Sequence, residues 1–138
     1  MASEIAAALR EAVARRADRR CEYCLIHESD AGYSHQIDHV VSRKHGGSSE
    51  AGNLAYSCFL CNRFKGADVA SVDLATGIIV RLFNPRQDRW GDHFRLEGEV
   101  IKPLSDVAAV TIRLLRMNAP ERIAERDLLQ RLGTYPRR

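Results

Sequence analysis

Between Ser3 and about Asp18, apolar side chains recur at helical spacing: Ile5, Leu9, Ala12 and Val13, with Arg16 closing the stripe. This pattern predicts an amphipathic helix, and Ser3 is placed to cap it. Around His35 to Ser42 the period changes. Ile37 and Val41 fall on one side and Val40 on the other, which predicts a strand. Gly46-Gly47 breaks it, and Ser48 or Ser49 is placed to cap a short turn leading to Asn53 and Leu54. Phe59 to Lys65 predicts a short helix that stops at Gly66. Beyond it come a turn at Thr76-Gly77, a strand from Ile78 to Leu82, and a hairpin around Glu97-Gly98. Ser105 or Asp106 caps a helix through Leu115 and Met117. Ala119-Pro120 opens a last helix to about Leu132, with proline suited to its first turn. No internal repeat, low-complexity tract or long linker interrupts these elements.

Composition narrows the class. A chain of 138 residues suits one domain, and 45% hydrophobic content with clear periodicity is enough to build a core. Aromatics supply only 7%, so that core should be mainly Leu, Ile, Val and Ala. No apolar run reaches the roughly 18 residues of a membrane helix. The N-terminus places acids and arginines inside its apolar pattern, unlike a secretory leader. The expectation is a soluble, cytoplasmic protein with no membrane partner.

The net charge of +3 is too mild to argue for a nucleic-acid partner. Its placement says more. The only lysines are Lys44, Lys65 and Lys102. Arg15, Arg16, Arg19 and Arg20 precede the first cysteine, Arg43 and Lys44 follow the predicted strand, and Arg63 and Lys65 follow the last cysteine. Guanidinium groups pair well with phosphate, although the N-terminal arginines equally suit a solvated helix face.

All four cysteines stand in two C-x-x-C pairs, Cys21 with Cys24 and Cys58 with Cys61. Two such knuckles give the full tetrahedral thiolate set of structural zinc. Disulfides do not suit a cytosolic chain, and a redox motif needs one pair rather than two. The 33 residues between the pairs exceed what a zinc ribbon needs. Something is built there, and an adjacent Asp38-His39 pair sits inside it. On a strand, neighbouring side chains point to opposite faces. At a strand end they can serve two tasks. A carboxylate offers a hard oxygen to magnesium or manganese, and an imidazole accepts a proton near neutral pH. Metal plus base is the chemistry of phosphodiester hydrolysis. Alone, an Asp-His dipeptide is more commonly a surface pair.

Taken together, "CEYC", "IDHVVSRKHGG", "GNL" and "CFLCNRFKG" resemble the HNH endonuclease family with a four-cysteine zinc site, from Cys21 to Gly66. The resemblance implies an α+β fold, a ββα-metal finger in which a hairpin and a helix surround one catalytic ion. It implies that His39 is the general base, that Asp38 is a metal ligand, and that Asn53 holds the loop that positions the base. It also implies that Asn62 is the second metal ligand, as in the H-N-N variant. One carboxylate and one amide oxygen suit magnesium or manganese. Arg43, Lys44, Arg63 and Lys65 are the candidate contacts to DNA, although Lys65 equally suits a helix-end cation. The chain is then a single nuclease domain over 1–138: an N-terminal helix (1–20), a zinc-clamped core (21–66), and a hairpin with a helical extension (67–138).

"LFNPR", "RW", "HF" and "LLRMN" extend the resemblance loosely toward Asn118. Trp90, His93 and Phe94 are expected to pack over the core, with contact to nucleic acid through Arg86 and Arg89 as the alternative. His45, His35 and His27 are expected to be surface or structural. Two rivals to the nuclease remain open. One is a non-catalytic zinc-knuckle module that binds nucleic acid. The other is a protein-interaction domain using the C-terminal amphipathic helices.

Overall fold

The N-terminal stripe folds as α1 (Ala7–Arg16) in the computed structural model, which describes residues 5–137. Ser3, the expected cap, lies outside the described residues. No side chain caps the first turn. Ile5, Val13, Ala14 and Ala17 leave water against Leu54 and Tyr56, with Leu9 and Ile37 at the margin. Ala12, expected on this face, points outward, and Ala14 is buried in its place.

The Cys21–Cys24 knuckle follows. Strand β1 (Gln36–His39) pairs antiparallel with β2 (Leu54–Ser57), and Asp38 lies opposite Ala55. β1 is shorter than its apolar alternation suggests. Past His39 the chain joins a loop, where Asn53 takes the amides of Val40 and Val41, both at 2.9 Å. β2 carries no alternation because all four of its residues are buried. It packs beneath α1 and leads into α2 (Phe59–Lys65), which ends at Gly66 as predicted. The hairpin and α2 form the ββα unit.

The second half adds two more two-stranded antiparallel sheets. β3 (Ala70–Val72), which the sequence pattern did not mark, pairs with β4 (Ile79–Arg81). A single turn, α3 (Trp90–His93), leads to β5 (Phe94–Glu97) and β6 (Val100–Pro103), joined across Gly98. Ser105 caps α4 (Asp106–Leu114) by accepting from the Ala108 amide at 3.1 Å. Pro120 opens α5 (Pro120–Arg131).

The larger core joins the four cysteines to Phe83, Phe94, Ile101, Leu115, Met117 and Tyr135. Fully burying one such side chain contributes about 1.5–3 kcal/mol, so the knuckles are set inside the main core. Trp90 and Phe94 stack at 5.1 Å, and the indole donates to the Tyr23 carbonyl at 2.8 Å. The expected packing cluster therefore lies directly on the first knuckle. No described helix is long and apolar enough to cross a membrane.

Candidate active site

The four sulfurs lie within 4.8 Å of one another and all four residues are buried. The nearest hydrogen-bonding approach, Cys24 to Cys58, is 3.6 Å, far from a disulfide bond length. Backbone amides of Tyr23 and Cys24 point at Cys21 Sγ and that of Cys61 at Cys58 Sγ, each at 3.4 Å. This set fits zinc in number, donor type and enclosure. Burial pushes the Cys21 thiol up, so a metal has to displace protons to take its seat.

Four thiolates around a divalent ion leave excess negative charge in the core, and the fold answers it with Arg122. This α5 side chain is only 4% exposed. Its Nη2 donates to Cys61 Sγ at 3.0 Å, and its Nη1 to the Leu115 carbonyl at 2.8 Å. Tyr135 adds a hydrogen bond from its hydroxyl to the Cys24 carbonyl at 2.7 Å. The sequence carried no local signal for either residue. An arginine on an amphipathic helix reads as surface until α5 is docked.

Asp38 points from β1 toward α2. It is 3% exposed, and both its oxygens are engaged. Tyr23 donates to Oδ2 at 2.6 Å and Lys65 to Oδ1 at 3.1 Å. Burial raises the Asp38 pKa above the usual carboxylate value, against the pull of Lys65 and Tyr23. The expectation that Lys65 contacts phosphate is corrected here. Its ammonium is 2% exposed and donates to Asp38 and to the carbonyls of His39 and Val40, both at 3.2 Å. Three residues before it on α2, Asn62 donates to Gln36 Oε1 at 3.3 Å.

A carboxylate and an amide suit a hard divalent ion in kind. In this arrangement a lysine ammonium already holds the carboxylate, so an ion would have to displace Lys65 from Asp38 to be held by Asp38 and Asn62.

His39 ends β1, half-buried. Its Nε2 lies 3.0 Å from Ser49 Oγ, and that oxygen accepts from Arg43 Nη1 at 2.9 Å. In the tautomer whose Nε2–H donates to Ser49, the Nδ1 lone pair is left for a water. Ser49 was expected only as a turn cap, and nothing in the sequence ties it to His39.

Asn53 closes the loop that carries Ser49. Its Oδ1 accepts from the Val41 amide at 2.9 Å, and its Nδ2 donates to the carbonyls of Val41 and Ser48 at 2.8 and 2.7 Å. Gly47 sits in this closure so tightly that a Cβ would fall 1.7 Å from the Val41 carbonyl oxygen. Only glycine fits there.

Of the cations expected to meet DNA, Lys44 and Arg63 are exposed and form no ion pair among the described residues. Arg43 is also exposed and is tied to Ser49. The arginines before Cys21 are largely used as staples. Arg16 binds the Ala51 carbonyl at 2.9 Å and also that of Leu54. Arg19 pairs with Glu11 and Glu28, and Arg20 binds the Arg137 carbonyl. Arg86 pairs with Glu22 across the first knuckle.

Residues 21–68 match the family model described as HNH endonuclease. No curated protein and no solved structure matches the chain.

Proposed function

We propose, from the HNH endonuclease family to which residues 21–68 belong, that this protein hydrolyses phosphodiester bonds in DNA with His39 as the general base. The observation that carries this reading is the clamped imidazole. Ser49 holds one ring nitrogen, and a loop closed by Asn53 holds Ser49. A base oriented in this way takes the proton of a water as its oxygen attacks phosphorus, and the opposite P–O bond breaks with its electron pair on the leaving oxygen. Lys44 and Arg63 would track the flanking phosphates, which makes binding salt-sensitive. The four cysteines would hold structural zinc, whose part is rigidity.

The reading keeps the requirement for magnesium or manganese that the resemblance implies. The bound ion would neutralise charge on the phosphate. Plasmid incubated with the protein and magnesium or manganese should be nicked or linearised, and EDTA should protect it. His39→Ala should keep the fold and lose cleavage by roughly 10²–10⁴-fold, the usual contribution of an acid-base group.

A second reading has its own observation. The buried Asp38–Lys65 pair is what a purely structural role for Asp38 would look like. On that reading the chain is a non-catalytic zinc-knuckle module for nucleic acid. Intact plasmid under every divalent ion, with binding retained, would select it.

A further inference from the structure

The segment 33–39 and α2 face each other along three successive contacts. Tyr33 stacks on Phe59, Gln36 meets Asn62, and Asp38 meets Lys65. Phe59, Asn62 and Lys65 are three residues apart on one helix face, so each step rises about 4.5 Å. The innermost contact is dry and the middle one is at the surface. The outermost is an aromatic ledge open to water.

Tyr33 is 68% exposed, and its ring lies 4.7 Å from that of Phe59 with a tilt of 32°. An exposed tyrosine alone needs no explanation. This one is held against a second ring, one helical step from Asn62. Beside it opens a largely apolar recess of about 190 Å³, lined by Ile26, Tyr33, Phe59 and Leu60 among others. That is smaller than the pockets that take drug-sized ligands, which suits a single planar ring. On the same helix Arg63, exposed and without an ion pair among the described residues, stands next to Asn62. A π-face with a neighbouring unpaired cation is complementary to a nucleotide, whose base stacks while its phosphate pairs.

We propose that Tyr33 and Phe59 form a stacking subsite for one unpaired nucleobase beside the cleaved phosphate. The preferred substrate is then single-stranded or locally opened DNA rather than a fully paired duplex. This rests on the nuclease reading above. Stacking needs a free π-face and no particular base edge, so the subsite is tolerant of sequence.

The test uses the full chain in the His39→Ala background, so that DNA stays uncut. A single-stranded oligonucleotide carries 2-aminopurine, whose emission is quenched on stacking, at successive positions. One position should be quenched by the parent protein. Tyr33→Phe should keep the quench and the affinity. Tyr33→Ala should abolish the quench and weaken single-strand binding by about 5- to 100-fold, with a much smaller effect on paired duplex. Position 33 is exposed and loses only its contact with the Phe59 ring, so the thermal midpoint should move only slightly. Equal quench and affinity in Tyr33→Ala would overturn the subsite while leaving the nuclease reading intact. If the parent binds no DNA and His39-containing protein cuts none, the nuclease reading falls, and the subsite with it.

Discussion

Lys65 Nζ stands 3.1 Å from Asp38 Oδ1, and both side chains are out of water. The pair spans α2 and β1, and Tyr23 fixes its other carboxylate oxygen from inside the first cysteine knuckle. The first cysteine knuckle, the strand bearing His39 and the helix of the ββα unit therefore meet at one carboxylate.

Breaking such a pair from one side leaves an uncompensated buried charge. Lys65→Met should lower stability by about 3–5 kcal/mol, read from the urea midpoint. Asp38→Asn combined with Lys65→Met should recover much of that loss, because the charge is removed with its partner. If Asp38 can accept a divalent ion, manganese should raise the midpoint of Lys65→Met and leave the parent unmoved.

Arg122 should govern how tightly the cysteines hold zinc. Arg122→Met should speed zinc release to a chelator and weaken affinity by about 10- to 100-fold, the usual cost of losing an outer partner of a metal ligand. The cobalt-substituted protein should show a shifted sulfur-to-metal absorption band. Arg126 is the control. It is also buried on α5, but it binds the Glu99 carbonyl at 2.7 Å and Asn118 Oδ1 at 2.9 Å and hydrogen-bonds to no sulfur among the described residues. Arg126→Met should cost stability without moving the cobalt band.

Zinc affinity should fall as pH falls. Each thiol must lose its proton to bind, and burial makes the Cys21 proton harder to remove. Competition with a chelator at two pH values measures this. The same chelation should unfold the chain, since the four cysteines are part of its larger core.

The loop that carries Ser49 should be separable from the zinc. Asn53→Ala removes three hydrogen bonds, and Gly47→Ala places a methyl against the Val41 carbonyl. Both should retain zinc and lose cleavage, with the His39 ring resonances displaced in NMR spectra. Ser49→Ala should lower the rate less than His39→Ala, because the base stays and only its orientation loosens. Full activity in Gly47→Ala would show that the loop does not position the base.

The residue pattern alone determined the features set by local chemistry. Gly66 ends α2 where a C-cap glycine was read, Ser105 and Pro120 open α4 and α5, and Gly98 turns the β5–β6 hairpin. Two C-x-x-C pairs marked a metal site because their spacing on a knuckle aims both sulfurs at one point. The tertiary structure decided what depends on facing partners distant in the chain. β2 shows no alternation because both its faces are covered, and β3 is too short to signal itself before β4 pairs with it. Lys65 reads as a surface cation until α2 docks on β1 and turns its ammonium onto Asp38, 27 residues away. Arg122 reads as helix surface until α5 closes over sulfurs more than 60 residues earlier. A charged side chain gives no sequence sign of being buried, because its partner is supplied by packing and not by its neighbours in the chain.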